Sequence, residues 1–118
     1  EDLPELLKTN IELILGNHDV GCDIKNLKIF KIRKTKNLSF SHEPVNSEDN
    51  KTLNICGHYH PKIYLKNNGD RLSFRCFAMD MKKNTLYLPA FGDLTGGYPC
   101  KKSFKKWAIL SENEILEI

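Results

Sequence analysis

Apolar positions along the chain recur mostly in short runs, bounded by clusters of Gly, Asn, Asp, Pro and Lys. Runs of four to eight residues rich in β-branched and aromatic side chains, many of them alternating with polar ones, read as strands. The pattern predicts strands over residues 11–15, 27–32, 38–41, 53–56, 62–66, 72–79, 85–88 and 107–110. Glu1, Asp2 and Glu5 suit the first turns of a helix, and Thr9-Asn10 ends it, so a helix tail is expected over residues 1–10. The run Ile11-Glu12-Leu13-Ile14-Leu15 stops abruptly at Gly16-Asn17-His18-Asp19, as a buried strand does when its end delivers polar residues into a loop. Asn67-Asn68-Gly69-Asp70 is a hairpin signal, because Asn-Gly accepts positive φ. Later turns are expected at 82–84 and 112–113, polar connections at 34–37 and 43–51, and an antiparallel meander after residue 60. The expected class is α/β, mainly β in this segment, with residues 1–118 as a single domain or part of one.

Length and composition narrow this picture. With 118 residues, 40% hydrophobic and 28% charged, the chain has the size and apolar content for one core. No apolar run approaches the roughly 20 residues that cross a bilayer, and no leader pattern opens the chain, so no membrane partner and a cytoplasmic location are expected. Eighteen Lys and Arg against 15 Asp and Glu give a formal charge of +3. The basic residues are scattered except for Lys101, Lys102, Lys105 and Lys106, too mild a bias to argue a nucleic-acid partner. Cys22, Cys56, Cys76 and Cys100 form no CxxC pair and are expected to be reduced and mostly buried.

The histidines carry the chemistry. All four sit beside Gly, Asn, Asp or Pro at predicted strand ends, in Gly16-Asn17-His18-Asp19, Ser41-His42-Glu43-Pro44 and Gly57-His58-Tyr59-His60-Pro61. A lone histidine is more often a surface or satisfied core residue than a ligand, but three sites with one logic change that weighting. If the segment after Cys56 stays extended, His58 and His60 point the same way and face one metal pair, with Gly57 allowing close backbone approach. Asn17 offers an amide oxygen ligand beside the His18 imidazole, free to donate a proton to a leaving group, and Asp19 can hold that imidazole in place. His42 adds a nitrogen at the end of another short strand. Its alternative role is to cap the loop that follows.

The ordered set GNHD, then His42 before Glu43-Pro44, then GHxHP resembles the calcineurin-like metallophosphoesterases. The tail Leu88-Pro89-Ala90-Phe91-Gly92-Asp93-Leu94-Thr95-Gly96-Gly97, preceded by Arg75-Cys76-Phe77, is similar to the bacterial DNA ligase-associated phosphodiesterase branch. The resemblance implies the C-terminal half of a metallophosphoesterase β-sandwich flanked by helices. It assigns Asn17, His42 and His58 to one metal and His60 to the other, with His18 as hydrogen-bond donor or acid and Asp19 orienting it. The implied ions are divalent manganese, iron or zinc, two in the full site, acting on a phosphodiester through activated water. The implied substrate is a nucleotide or a nucleic-acid end.

The family's earlier motifs, an Asp-x-His and a Gly-Asp preceding GNHD, do not occur in the sequence; Gly69-Asp70 and Gly92-Asp93 lie elsewhere and are decoys. With Glu1 in place of an initiator Met, the chain is expected to be a C-terminal fragment, inactive or weak alone. It would associate with a missing N-terminal half or with itself through an exposed sheet edge. The alternatives are a non-catalytic interaction scaffold and one half of a split enzyme. The glycines of 91–97 suit either a substrate loop or a packing turn. Tyr59 is expected to line the pocket, and Trp107 to pack in the last strand.

Overall fold

The computed structural model describes residues 12–16, 28–45, 51–92 and 96–118, which form strands and turns with no helix among them. The helix expected over 1–10 lies outside the described residues. The strands are β1 (Glu12–Ile14), β2 (Lys28–Phe30), β3 (Ile32–Lys34), β4 (Leu38–Ser41), β5 (Leu53–Cys56), β6 (Pro61–Asn67), β7 (Asp70–Asp80), β8 (Thr85–Tyr87), β9 (Tyr98–Pro99), β10 (Lys105–Ser111) and β11 (Glu114–Glu117). This is the mainly β segment that the apolar pattern implies. The expected strand over 27–32 is instead two, β2 and β3, divided at Lys31, and β3 runs into the expected connection at 34–37. Strands β9 and β11 were not foreseen, so Trp107 lies in the penultimate described strand.

The main sheet has the order β11-β10-β7-β8-β5-β4-β3. Its centre is parallel: β4 pairs with β5, and β5 with β8, all running the same way. The outer pairs β3-β4, β7-β8, β7-β10 and β10-β11 are antiparallel. Strand β7 continues past the main sheet, because its first half pairs with β6 and its second with β8 and β10. Strand β6 also carries β9 on its other edge, in parallel. Strands β1 and β2 form a separate parallel pair. The β6-β7 hairpin turns at Asn68 and Gly69, with φ of 49° and 88°, as the Asn-Gly pair requires.

Two apolar clusters meet at Cys100. One contains Cys56, Ala78, Tyr87 and Phe104, with Tyr59 packed against it; the other contains Ile63, Cys76 and Ala108, with Phe74 against it. The small side chains Cys76, Ala78 and Ala108 have no exposed surface, which lets β7 and β10 serve both clusters. Tyr87 and Phe104 stack at 5.9 Å between ring centroids, and Tyr59 approaches Tyr87 at 5.1 Å. Cys56, Cys76 and Cys100 are free thiols, the first two buried and the third half-buried, as their spacing suggests.

Candidate metal centre

Parallel strands align their carboxyl ends, and open sheets with parallel strands place ligands there. In the β4-β5 register Ser41 faces Cys56, so the chain leaves both strands side by side. The ladder continues one step beyond, where Gly57 N–H donates to the His42 carbonyl at 3.1 Å. His58 then enters the left-handed region, with φ of 66°, and its ring returns toward β4. The result is a histidine pair: His42 Nε2 lies 3.0 Å from His58 Nδ1, with ring planes at 75°. In the hydrogen bond that this distance allows, one ring donates and the other accepts, according to tautomer. The far nitrogen of His58, Nε2, lies 3.8 Å from Glu43 Oε1, an ion-pair distance rather than a hydrogen bond.

A buried polar node holds this loop from behind. Asn54 on β5 is 2% exposed, and its Nδ2 donates to Ser39 O at 3.2 Å, Ser39 Oγ at 2.9 Å and Ser41 Oγ at 3.2 Å. Its Oδ1 accepts the Val45 N–H at 3.3 Å, and Ser41 Oγ donates to the Glu43 carbonyl at 2.6 Å. The segment from Ser41 to Val45, which carries His42 and Glu43, is thereby tied at both ends to one side chain of the neighbouring strand. Buried polar groups left without partners are costly, so a fully satisfied node of this kind fixes a single loop conformation. A cavity of about 190 Å³, lined by Ile14, Phe40, His42, Ile55, Gly57 and Leu88 among others, opens beside the pair.

His60 is placed differently. The extended His58-Tyr59-His60 segment does not form: His60 also has positive φ, 52°, and the chain bends through residues 58 and 59. Alternation therefore does not operate here, and among the described residues no group of three or more His, Cys, Asp or Glu side chains is arranged to hold an ion. The His60 carbonyl accepts the Tyr98 N–H at 3.1 Å, which starts the β6-β9 pairing. Tyr59 packs on Tyr87 and Phe104 and donates its hydroxyl to Pro99 O at 3.0 Å. Burial, with the Cys100 and Cys76 thiols nearby, raises the Tyr59 pKa. Asn17, His18 and Asp19 lie outside the described residues, and the final strand residue before them, Ile14, lines the cavity beside His42.

The His42 and His58 rings face each other at hydrogen-bonding distance, 3.0 Å. Two imidazole nitrogens each about 2.1 Å from one tetrahedral ion would stand about 3.4 Å apart, so the rings would have to open slightly to share one. Glu43 lies near the outer nitrogen of His58 at 3.8 Å, beyond hydrogen-bond distance, where a small shift would bring its carboxylate into the orienting position that such groups take beside ligating histidines. The sequence pattern assigned a role to both histidines but none to Glu43 or Asn54. Glu43 is adjacent to His42 and was legible as a neighbour; an Asn in an apolar run carries no such signal. Arg75 was quoted only within Arg75-Cys76-Phe77, with no role of its own. Its guanidinium donates to Ala90 O at 2.9 Å and Phe91 O at 3.1 Å, pinning the segment that follows β8 at the same end of the sheet.

No protein-family model matches the chain, and no curated protein matches it. Among solved structures it is similar to the crystal structure of the Pseudomonas putida nuclease MPE, with a TM-score of 0.77 at 22% sequence identity. The alignment covers 98% of this chain and 57% of that one, so the chain spans less than two thirds of the length of that protein. At this identity the likeness is one of fold alone.

Proposed function

We propose that this chain carries part of the metal centre of a phosphodiester hydrolase. The observation behind the proposal is the 3.0 Å approach of His42 Nε2 to His58 Nδ1 at the carboxyl ends of adjacent parallel strands. His42 and His58 would hold one divalent ion, manganese, iron or zinc, with Asn17 as the further ligand that the sequence resemblance implies. When bound, such an ion lowers the pKa of water and offsets the charge of a phosphate. Glu43 steadies the His58 ring, and the Asn54 node keeps the His42 loop in register with Gly57. His60, turned by its left-handed backbone, is assigned to a second ion only by the sequence resemblance. His18 would meet the leaving oxygen as a hydrogen-bond donor, with Asp19 orienting it. The fold likeness to a nuclease favours a nucleic-acid or nucleotide phosphodiester as the substrate class.

The test is manganese-dependent hydrolysis of bis(p-nitrophenyl) phosphate by this chain and by His18→Ala and His58→Ala variants. The reading expects at most weak turnover from this chain alone, abolished by both substitutions. Turnover that survives His58→Ala would sink the metal assignment, and no turnover above buffer would sink the idea that this chain acts alone.

A further inference from the structure

Among the described residues, charge is divided unevenly between the two ends of the main sheet. The histidine pair lies at the carboxyl ends of β4 and β5. The opposite end is set by the register. Strands β4, β5, β8 and β10 all start there, since β10 and β8 are each antiparallel to β7, while β3, β7 and β11 finish there. Exposed Lys101, Lys102 and Lys105 lie at the entry to β10, and exposed Lys82 and Lys83 form the β7-β8 turn. At the far edge, exposed Lys34 and Lys36 flank the β3-β4 turn, which Thr35 N–H closes on Leu38 O at 2.9 Å.

Against these lysines, the described acidic residues at that end are Asp80 and Glu117. The Asp80 carboxylate is turned inward on its own loop, accepting the Lys82 and Lys83 N–H groups at 3.1 and 3.3 Å. At the histidine end, by contrast, Glu43, Glu112 and Glu114 interrupt the basic residues. From β10 to β3 the row crosses five interstrand spacings, about 24 Å at about 4.8 Å each. That is the rise of about seven base pairs of duplex, at 3.4 Å per phosphate of one strand. Lys101 sits over the buried Phe104 ring, at 5.8 Å from its centroid, so that aromatic offers no stacking platform to a base.

We propose that this lysine row is a sequence-independent binding surface for the phosphate backbone of duplex nucleic acid, separate from the histidine site. It goes beyond the hydrolase reading and does not rest on it. Lysines that neutralise phosphates release counterions, which makes affinity fall steeply with salt.

The experiment is fluorescence anisotropy of a labelled 24-base-pair duplex of arbitrary sequence in EDTA, titrated with the protein between 50 and 200 mM salt. The wild-type chain should give a log–log slope of about −4 or steeper, a loss of about 250-fold in affinity over that range. The combined variant Lys82→Gln, Lys83→Gln, Lys101→Gln and Lys102→Gln should flatten the slope by about 3 units or more, at about one per phosphate contact. The control Lys31→Gln with Lys66→Gln, off the row, should leave it near the wild-type value. Absence of salt-dependent binding, equal flattening by the control pair, or capture of phosphatidylserine vesicles through the same lysines in place of duplex would each overturn the proposal.

Discussion

His42 and His58, sixteen residues apart in the chain, face each other at 3.0 Å because two parallel strands end in register and the chain then turns back at a left-handed His58. Neither ring is placed by its own strand alone. Removing either one therefore removes the pair. Zn²⁺ affinity, measured by competition with a chromogenic chelator, should fall in His42→Ala and in His58→Ala by more than the about 10- to 100-fold that loss of an orienting partner costs. The double variant should fall little further, because both donors serve one ion. Glu43→Gln should lose about 10-fold. Unchanged Zn²⁺ affinity in both alanine variants would end the assignment.

Asn54 ties the His42 loop to β5 through four hydrogen bonds of its side chain. Asn54→Ala strands the Ser39 hydroxyl and the Val45 N–H, leaves Ser41 Oγ with only its bond to the Glu43 carbonyl, and opens a small void at a position 2% exposed. The expected loss is about 2–4 kcal/mol in urea unfolding, above the usual mutational cost. Asn54→Asp retains an acceptor for Val45 but places an unpaired carboxylate beside hydroxyls and a carbonyl, so it should also destabilise, and more so as pH rises above the carboxylate range. A loss below about 0.5 kcal/mol for Asn54→Ala would show that the node does not hold the loop.

What was legible in the sequence follows from where the physics is local. Strands β4 and β5 have the bounds expected from their apolar pattern, because residues 38–41 and 53–56 alternate half-buried and buried positions. The Asn68-Gly69 turn was legible for the same reason, its backbone requirement being written in two side chains. Strand β9 was not: two residues carry no period, and its existence depends on Tyr98 N–H reaching His60 O and Cys100 N–H reaching Lys62 O. Strand β11 was missed because all four of its residues are exposed, so burial leaves no mark on its pattern. The histidines stood out by type and spacing. The left-handed turns at His58 and His60 did not, since nothing in a His-Tyr-His triplet opposes an extended chain. The lysine row was hidden for another reason: residues 34, 36, 82, 83, 101, 102 and 105 are brought to one edge only by strand order.

Gly97 has a packing role that Gly96 lacks. A Cβ on Gly97 would stand 2.5 Å from the His60 carbonyl oxygen and 2.8 Å from Lys62 Cγ, whereas one on Gly96 meets nothing within 4 Å. The carbonyl is the one that accepts from Tyr98, so a methyl group there pushes β9 off β6. Gly97→Ala should cost about 1–3 kcal/mol, the range for overpacking, while Gly96→Ala should lie within about 0.5 kcal/mol of wild type. Equal midpoints for the two variants in urea would show that the β6-β9 contact yields without strain.

Burial pushes the Cys56 and Cys76 thiols up to about 12, with Cys100 adding to the effect at Cys76. A thiol needs its thiolate to react, so in the native state both should resist Ellman's reagent at pH 8, while the half-buried Cys100, also raised by burial, should react slowly. The same shifts set a pH dependence. In the unfolded chain these thiols ionise near 9, whereas in the folded protein they hold their protons to about 12. Between those values the unfolded state binds fewer protons, so their contribution to stability is complete below about pH 8.5 and is lost as pH rises toward 12. The expected slope is a loss of up to about 1.4 kcal/mol per pH unit for each thiol above pH 9. Urea midpoints compared at pH 8 and pH 10 for the wild-type chain and for Cys56→Ala measure it. The variant should start less stable at pH 8, for the void it leaves, and lose less on going to pH 10. If both proteins decline in parallel, the Cys56 thiol is not the group responsible.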